Sequence, residues 1–85
     1  MRVPRSMLLA DVEQQGTFLI DSVSDRSSHN LRLMESRGIT PGAKLRVRKT
    51  PSPVGFYLSV GRSPETFRLS REVARDVRIV PLPRS

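Results

Sequence analysis

The side chains best suited to chemistry in this chain are a single histidine and a few closely spaced cations. His29 is the only histidine, Asp25 lies four residues before it, and the chain has no cysteine. Transition metals that bind imidazole need several histidine, cysteine or carboxylate ligands, and this pair is too small a set to hold one. No serine lies in the sharp turn that a Ser–His–carboxylate nucleophile needs. We therefore predict no catalytic residues, no metal site and no bound cofactor.

The segment GITPGAKLRV, Gly38–Val47, is a second candidate for ligand binding. A phosphate-binding loop has a strand before its glycines and a helix after them, because the helix N-terminus supplies the anion site. Here the predicted order is reversed. Gly38 is placed to end a helix in the left-handed conformation, and Thr40–Gly42 fits a type II turn. We interpret both glycines as structural.

The third candidate is the basic strand that follows this turn. Lys44, Arg46 and Arg48 alternate with apolar residues, so burial of the apolar set exposes all three cations. Tyr57 is predicted to lie on the outer face of the next strand. Arg37 falls within the apolar arc of the helix, where it either snorkels over the core edge or faces a partner. We predict that these five residues contact an acidic partner.

The charge of the whole chain leaves a second function open. The 15 lysines and arginines outnumber 8 acidic residues, which gives a formal net charge of +7. Small basic domains often bind nucleic acid, because each neutralised phosphate releases counterions. The cations are scattered, however, and only one exposed aromatic side chain is expected for base stacking. A small basic β-barrel that binds nucleic acid is therefore the alternative to a protein-binding module.

Short strands and turns must position these residues. Strands are predicted at 17–23, 43–50, 56–60, 66–69 and 77–80. The first is expected to bend near Asp21–Ser22, because the inward parity breaks there. One helix, capped by Ser27 or Ser28, is expected to run to about Arg37, and a helical turn capped by Ser70 precedes the last strand. Five strands with one helix after the first indicate a mainly β fold, a small antiparallel barrel.

Three further expectations concern burial and connections. Alternation in strand 56–60 points Ser59 outward, on the same side as Tyr57. Residues 8–16 are expected to form a lead-in turn and residues 50–55 a loop, because two prolines exclude a central strand there. Pro81 and Pro83 are expected to end the last strand.

The size of the chain limits its organisation. A chain of 85 residues is one domain with a small core, and without cysteines it can live in a reducing compartment. The early apolar run MLLA is too short for a signal peptide, and no stretch approaches a membrane span. We expect a cytoplasmic protein without membrane insertion. An exposed edge strand would allow two copies to pair.

The corner Gly38–Gly42 and the closing segment Leu69–Val80 also carry a family resemblance. In order and spacing, over about residues 8–80, the chain resembles the FeoA family of small bacterial accessory proteins of ferrous-iron transport. The same domain is similar to the SH3-like C-terminal domain of iron-dependent transcriptional regulators. The matching positions are Gly38, Ile39, Pro41 and Gly42, then Leu69, Arg71, Glu72, Ala74, Val77 and Val80.

The resemblance implies an SH3-like β-barrel, a cytoplasmic location and no catalytic residues. It also implies that the protein supports or regulates a GTP-dependent ferrous-iron permease. The expected partner is the cytoplasmic part of that FeoB-like permease, or a regulatory protein. Leu33, Met34 and Arg37 depart from the family, which usually has an Arg–Leu pair and an apolar residue at these positions.

Overall fold

Six strands, two α-helices and one short 3-10 helix make up the described part of the molecule. A computed structural model describes residues 6–49, 52–53 and 55–82. The strands are β1 (Met7–Leu8), β2 (Gly16–Val23), β3 (Lys44–Val47), β4 (Gly55–Val60), β5 (Phe67–Ser70) and β6 (Val77–Pro81). The helices are the 3-10 helix Leu9–Asp11, then α1 (Ser28–Ser36) and α2 (Arg71–Ala74).

The strands form one antiparallel sheet in the order β1-β6-β2-β3-β4-β5. This architecture confirms the predicted mainly β, SH3-like fold, although the sheet is open and β1 and β5 are its edges. Residues 8–16 were predicted to form only a turn, and this prediction missed a strand, because Leu8 belongs to β1. Met7 and Leu8 pair with Ile79 and Arg78 of β6. Two residues are too few to show an alternating pattern, so this strand has no signature in the sequence.

The core lies on one side of the sheet. Phe56 is its largest fully buried side chain, and the 3-10 helix contributes Leu9 to it. From α1, Met34 is completely buried, whereas Leu33 is 37% exposed. The helix therefore anchors to the core mainly through one side chain. Within the described residues, no helix has the length and apolar character that crossing a membrane requires.

Serine caps begin both α-helices, as predicted. Ser27 Oγ accepts a hydrogen bond from Asn30 N at 3.3 Å, and Ser70 Oγ accepts one from Val73 N at 3.3 Å. Each bond satisfies one of the amide groups that a helix leaves unpaired at its start. The predicted bend in β2 is also confirmed, because the β2–β6 register shifts between Ile20 and Ser22.

The corner after α1 has the predicted geometry. Gly38 has φ 79° and Gly42 has φ 89°, both in the left-handed region. Ile39 N donates to Met34 O at 2.9 Å and Gly38 N donates to Glu35 O at 3.0 Å, which is the Schellman pattern of helix ends. Ala43 N donates to Thr40 O at 3.1 Å and closes the turn. The glycines therefore turn the chain from α1 into β3.

Arg71, the first residue of α2, ties three parts of the structure together. Its Nη1 donates to Ala10 O at 2.5 Å and its Nη2 to Ser52 O at 2.9 Å. The guanidinium also lies 4.9 Å from the centroid of the Phe56 ring. One planar side chain thus joins α2 to the 3-10 helix and to the segment before β4. Three residues of the predicted 50–55 loop and the stop at Pro83 lie outside the described residues.

Candidate partner-binding face

Strand β3 presents its cations on the side of the sheet away from the core. Leu45 and Val47 are 0% and 3% exposed, so the alternate residues must point the other way. Lys44 is exposed, Arg46 is partly buried, and Arg48, which directly follows the strand, is exposed. The predicted alternation of β3 is confirmed.

Tyr57 of β4 stands among cations from both sides. Arg48 N donates to Tyr57 O at 2.8 Å, so these two residues are cross-strand neighbours, and Arg68 of β5 pairs with Tyr57 on the other side. The Tyr57 side chain is 40% exposed, and Lys49 Nζ lies 4.7 Å from its ring centroid. Because directly paired residues share a face, this forms a continuous surface. We call it the basic face, made of Lys44, Arg46, Arg48, Tyr57 and Arg68.

The sequence interpretation missed Arg68 as a member of this surface. Its signal was present, because Arg68 alternates with Phe67 and Leu69, the two residues predicted to point inward. Lys49 carried no such signal. It follows the strand in sequence, and its contact with Tyr57 depends on how the chain leaves β3.

Ser59 lies on the same outward side of the sheet, as predicted, but it is buried. It is 2% exposed, and its Oγ has no hydrogen-bond partner among the described residues. It pairs directly with Arg46 and lies two residues from Tyr57 on the same side. Alternation gives the face of a side chain, not its exposure. On this face Arg46 is partly buried, whereas Lys44 and Arg48 are exposed.

Arg37 lies apart from the basic face. Its guanidinium is 5.2 Å from the centroid of the Phe67 ring, and Phe67 packs against the core. Of the two alternatives for Arg37, the structure shows the side chain lying over the edge of the core. It does not bring Arg37 together with the other four predicted residues, and its contact with a partner stays a prediction.

The cations of the basic face have no carboxylate partner in the described part of the chain. There, the ion pair between Arg26 and Asp76 is the only one. Like charges on neighbouring strands repel each other, and an acidic partner would relieve that repulsion. Residues 6–49, 52–53 and 55–82 also contain no group of three His, Cys, Asp or Glu side chains arranged to hold a metal ion. His29 is exposed in the first turn of α1.

Solved structures share this fold. An iron uptake regulatory protein, FeoA, has a TM-score of 0.78 at 22% identity, over 92% of this chain and 100% of its own. An FeoA-like protein from Clostridium acetobutylicum has a TM-score of 0.79 at 18% identity, over 98% and 94%. A manganese-dependent transcriptional repressor has a TM-score of 0.80 at 23% identity, and the match covers 96% of this chain and 45% of the repressor chain.

The chain thus corresponds to less than half of that repressor, and to nearly all of the two FeoA-type structures. No curated protein matches the sequence. The family model of the FeoA domain matches residues 7–81. Family and neighbours together indicate a small accessory or regulatory module. The match covers most of this chain, and the chain therefore belongs to the FeoA domain family.

Proposed function

We propose that this protein is a non-catalytic, cytoplasmic accessory module that binds the cytoplasmic part of a ferrous-iron permease through its basic face. Membership of the FeoA domain family supports the transport context. The observation that carries the choice of surface is Tyr57, an exposed aromatic ring with arginines paired on both sides. Tyrosine and arginine are enriched at the energetic centres of protein interfaces. The partner surface would be acidic.

A protein partner fits this face better than a nucleic acid. Proteins that bind single strands stack successive bases on several aromatic side chains along a groove. Tyr57 is the one exposed aromatic ring in the described part of the chain, and it lies on a sheet surface. A single ring offers a stack for one base, whereas one aromatic anchor with a rim of cations suffices for a protein contact.

The test reverses two charges of the basic face. The Lys44→Glu/Arg48→Glu variant changes its two exposed cations on or next to β3 and keeps Arg46, which packs beside the buried Ser59. It should keep the wild-type melting temperature, because neither side chain is in the core. In a pull-down at physiological salt it should lose binding to the cytoplasmic domain of the permease.

A matched control carries the same change in net charge elsewhere. Arg32 on α1 and Arg62 after β4 are both exposed, and an Arg32→Glu/Arg62→Glu variant should bind like the wild type. Equal loss in both variants would point to unspecific charge attraction and contradict the proposal. Sub-micromolar binding of single-stranded DNA or RNA at the same salt, abolished by Lys44→Glu/Arg48→Glu, would favour the nucleic-acid alternative.

Two smaller parts of the proposal have their own measurements. An Arg37→Ala variant tests whether this residue belongs to the interface, and weaker permease binding is expected if it does. Pairing of two copies through an edge strand, at β1 or β5, also stays a prediction. Sedimentation over a range of protein concentrations checks it.

A further inference from the structure

A cavity of about 250 Å³ lies beside β6, on a part of the molecule that shares no residue with the basic face. Three arginines from separate segments line it: Arg26 before α1, Arg75 after α2 and Arg78 on β6. The position of Arg78 is set by the sheet, because it pairs with Leu8 of β1 on one side and Ser22 of β2 on the other. The convergence of three cations therefore follows from the topology and not from one basic run of sequence.

The only carboxylate in the lining of this cavity is already engaged. Asp76 is 4% exposed and accepts hydrogen bonds from Arg26 Nη2 and, at 3.4 Å, from Asn30 Nδ2. Among the described residues, Arg75 and Arg78 have no carboxylate at ion-pair distance. The cavity thus has three positive side chains and one negative one. This excess of positive charge in one cavity favours the binding of an anion.

Hydroxyl groups complete the set of donors. Ser24 Oγ accepts a hydrogen bond from Arg26 N at 3.1 Å, which leaves its own proton to donate. The backbone of this segment is held in place, because Ser24 N donates to Asp76 O at 2.7 Å. Ser22 adds a second hydroxyl to the lining. Guanidinium groups present paired N–H donors with the spacing of phosphate oxygens.

We propose that this cavity binds a phosphate group, either as free phosphate or as the monoester of a small molecule. Arg75 and Arg78 supply the charge, Ser22 and Ser24 donate hydrogen bonds, and Arg26, fixed by Asp76, closes one wall. Sites for whole drug-sized ligands measure about 300–1,000 Å³, so this smaller cavity suits a single charged group. The site shares no residue with the basic face, so an experiment can refute either proposal without refuting the other.

The experiment is a titration of the whole protein followed by amide chemical shifts at constant pH and ionic strength. Inorganic phosphate should give saturable shifts at Ser22, Ser24, Arg75 and Arg78, and chloride should not. A parallel titration with O-phosphoserine identifies the source of the group: tighter binding than phosphate indicates a monoester, and weaker binding indicates the free ion. The Lys44→Glu/Arg48→Glu variant should bind phosphate like the wild type.

Two variants locate the site. Arg75→Gln/Arg78→Gln should raise the Kd for phosphate at least about tenfold. Losing one hydrogen bond to a charged group typically lowers a binding constant by about that factor or more. Arg32→Gln/Arg62→Gln removes the same charge from exposed positions and should leave the Kd within about twofold, because it removes no contact to the ligand. Ser24→Ala retains every charge and should still weaken binding, which keeps the test valid if the arginine variant folds poorly. The absence of saturation at millimolar phosphate, or equal weakening in the two double variants, would overturn the proposal.

Discussion

Replacing Gly55 with alanine adds only one methyl group, but we expect it to destabilise the protein. Gly55 begins β4 and pairs with Ser70 of the edge strand β5. A Cβ at this position would lie 2.6 Å from Leu69 O, closer than the 3.0 Å that real Cβ atoms essentially always keep. The obstructing atom belongs to the backbone, so no side-chain rotation relieves the contact. Either β5 moves away or its pairing with β4 breaks.

The expected net cost is about 1.3 kcal/mol. Forcing an extra methyl into a packed site costs roughly 1–3 kcal/mol. Replacing glycine lowers the entropy of the unfolded chain and returns about 0.4–1 kcal/mol. In a domain of this size each kcal/mol shifts the melting temperature by about 4–8 °C, so Gly55→Ala should melt about 5–10 °C below the wild type. In urea the midpoint should fall while the slope is unchanged.

Gly16 provides the matched control, because it also begins a strand. Its added Cβ would meet only the edge of the Phe18 ring at 3.3 Å, and that ring can shift. Gly16→Ala should therefore stay within about 0.5 kcal/mol of the wild type, in the range of ordinary surface substitutions. A Gly55→Ala protein that melts like the wild type, or no lower than Gly16→Ala, would refute the close approach of β4 and β5.

The other predictions concern two buried contacts and metal binding. Arg71→Lys should cost about 1–2 kcal/mol in a urea titration, because a compact ammonium group lacks the planar fork whose two nitrogens reach the two carbonyls, whereas the same change at exposed Arg75 should be neutral. Arg26→Ala should destabilise the protein more than Asp76→Asn does. Without Arg26, the Asp76 carboxylate, which is 2% exposed, keeps only the weak hydrogen bond from Asn30. Asp76→Asn instead leaves a neutral oxygen that can still accept a hydrogen bond. The reverse order of melting temperatures would disprove this. Anaerobic calorimetry with Fe(II) or Mn(II) should find no site of micromolar affinity or better, and a stoichiometric site involving His29 would contradict this.

Features decided by near neighbours in sequence were predictable. The caps at Ser27 and Ser70 depend on a hydroxyl three residues before the amide that it accepts from. The corner at Gly38 and Gly42 depends on conformations that glycine adopts most readily. The outward direction of the β3 cations follows from alternation with buried residues. These are local rules, and they predicted most of the fold and the centre of the basic face.

Features decided by distant parts of the chain were not predictable. β1 exists because β6 offers it a partner, and its own two residues carry no pattern. The burial of Ser59 does not follow from alternation, which gives only the face of the sheet on which a side chain lies. Arg71 was recognisable as a family position, but its role as a bridge to Ala10 and Ser52 needs the folded structure. The convergence of Arg75 and Arg78 on one cavity likewise depends on the pairing of β6.

The place of β6 in the sheet has a consequence for synthesis. β6 leaves the ribosome after the other five described strands, yet it lies between β1 and β2 and pairs with both. Strands β2 to β5 can pair with their neighbours as they emerge. The other side of β2 stays unpaired until β6 has been made. Pairing between strands far apart in sequence is slow. A nascent chain that stops before Val77 exposes Ile20 and Leu9, which are buried in the complete fold. Proteases and chaperones can therefore recognise a chain in which this strand has not yet been made by the apolar surface that β6 otherwise covers.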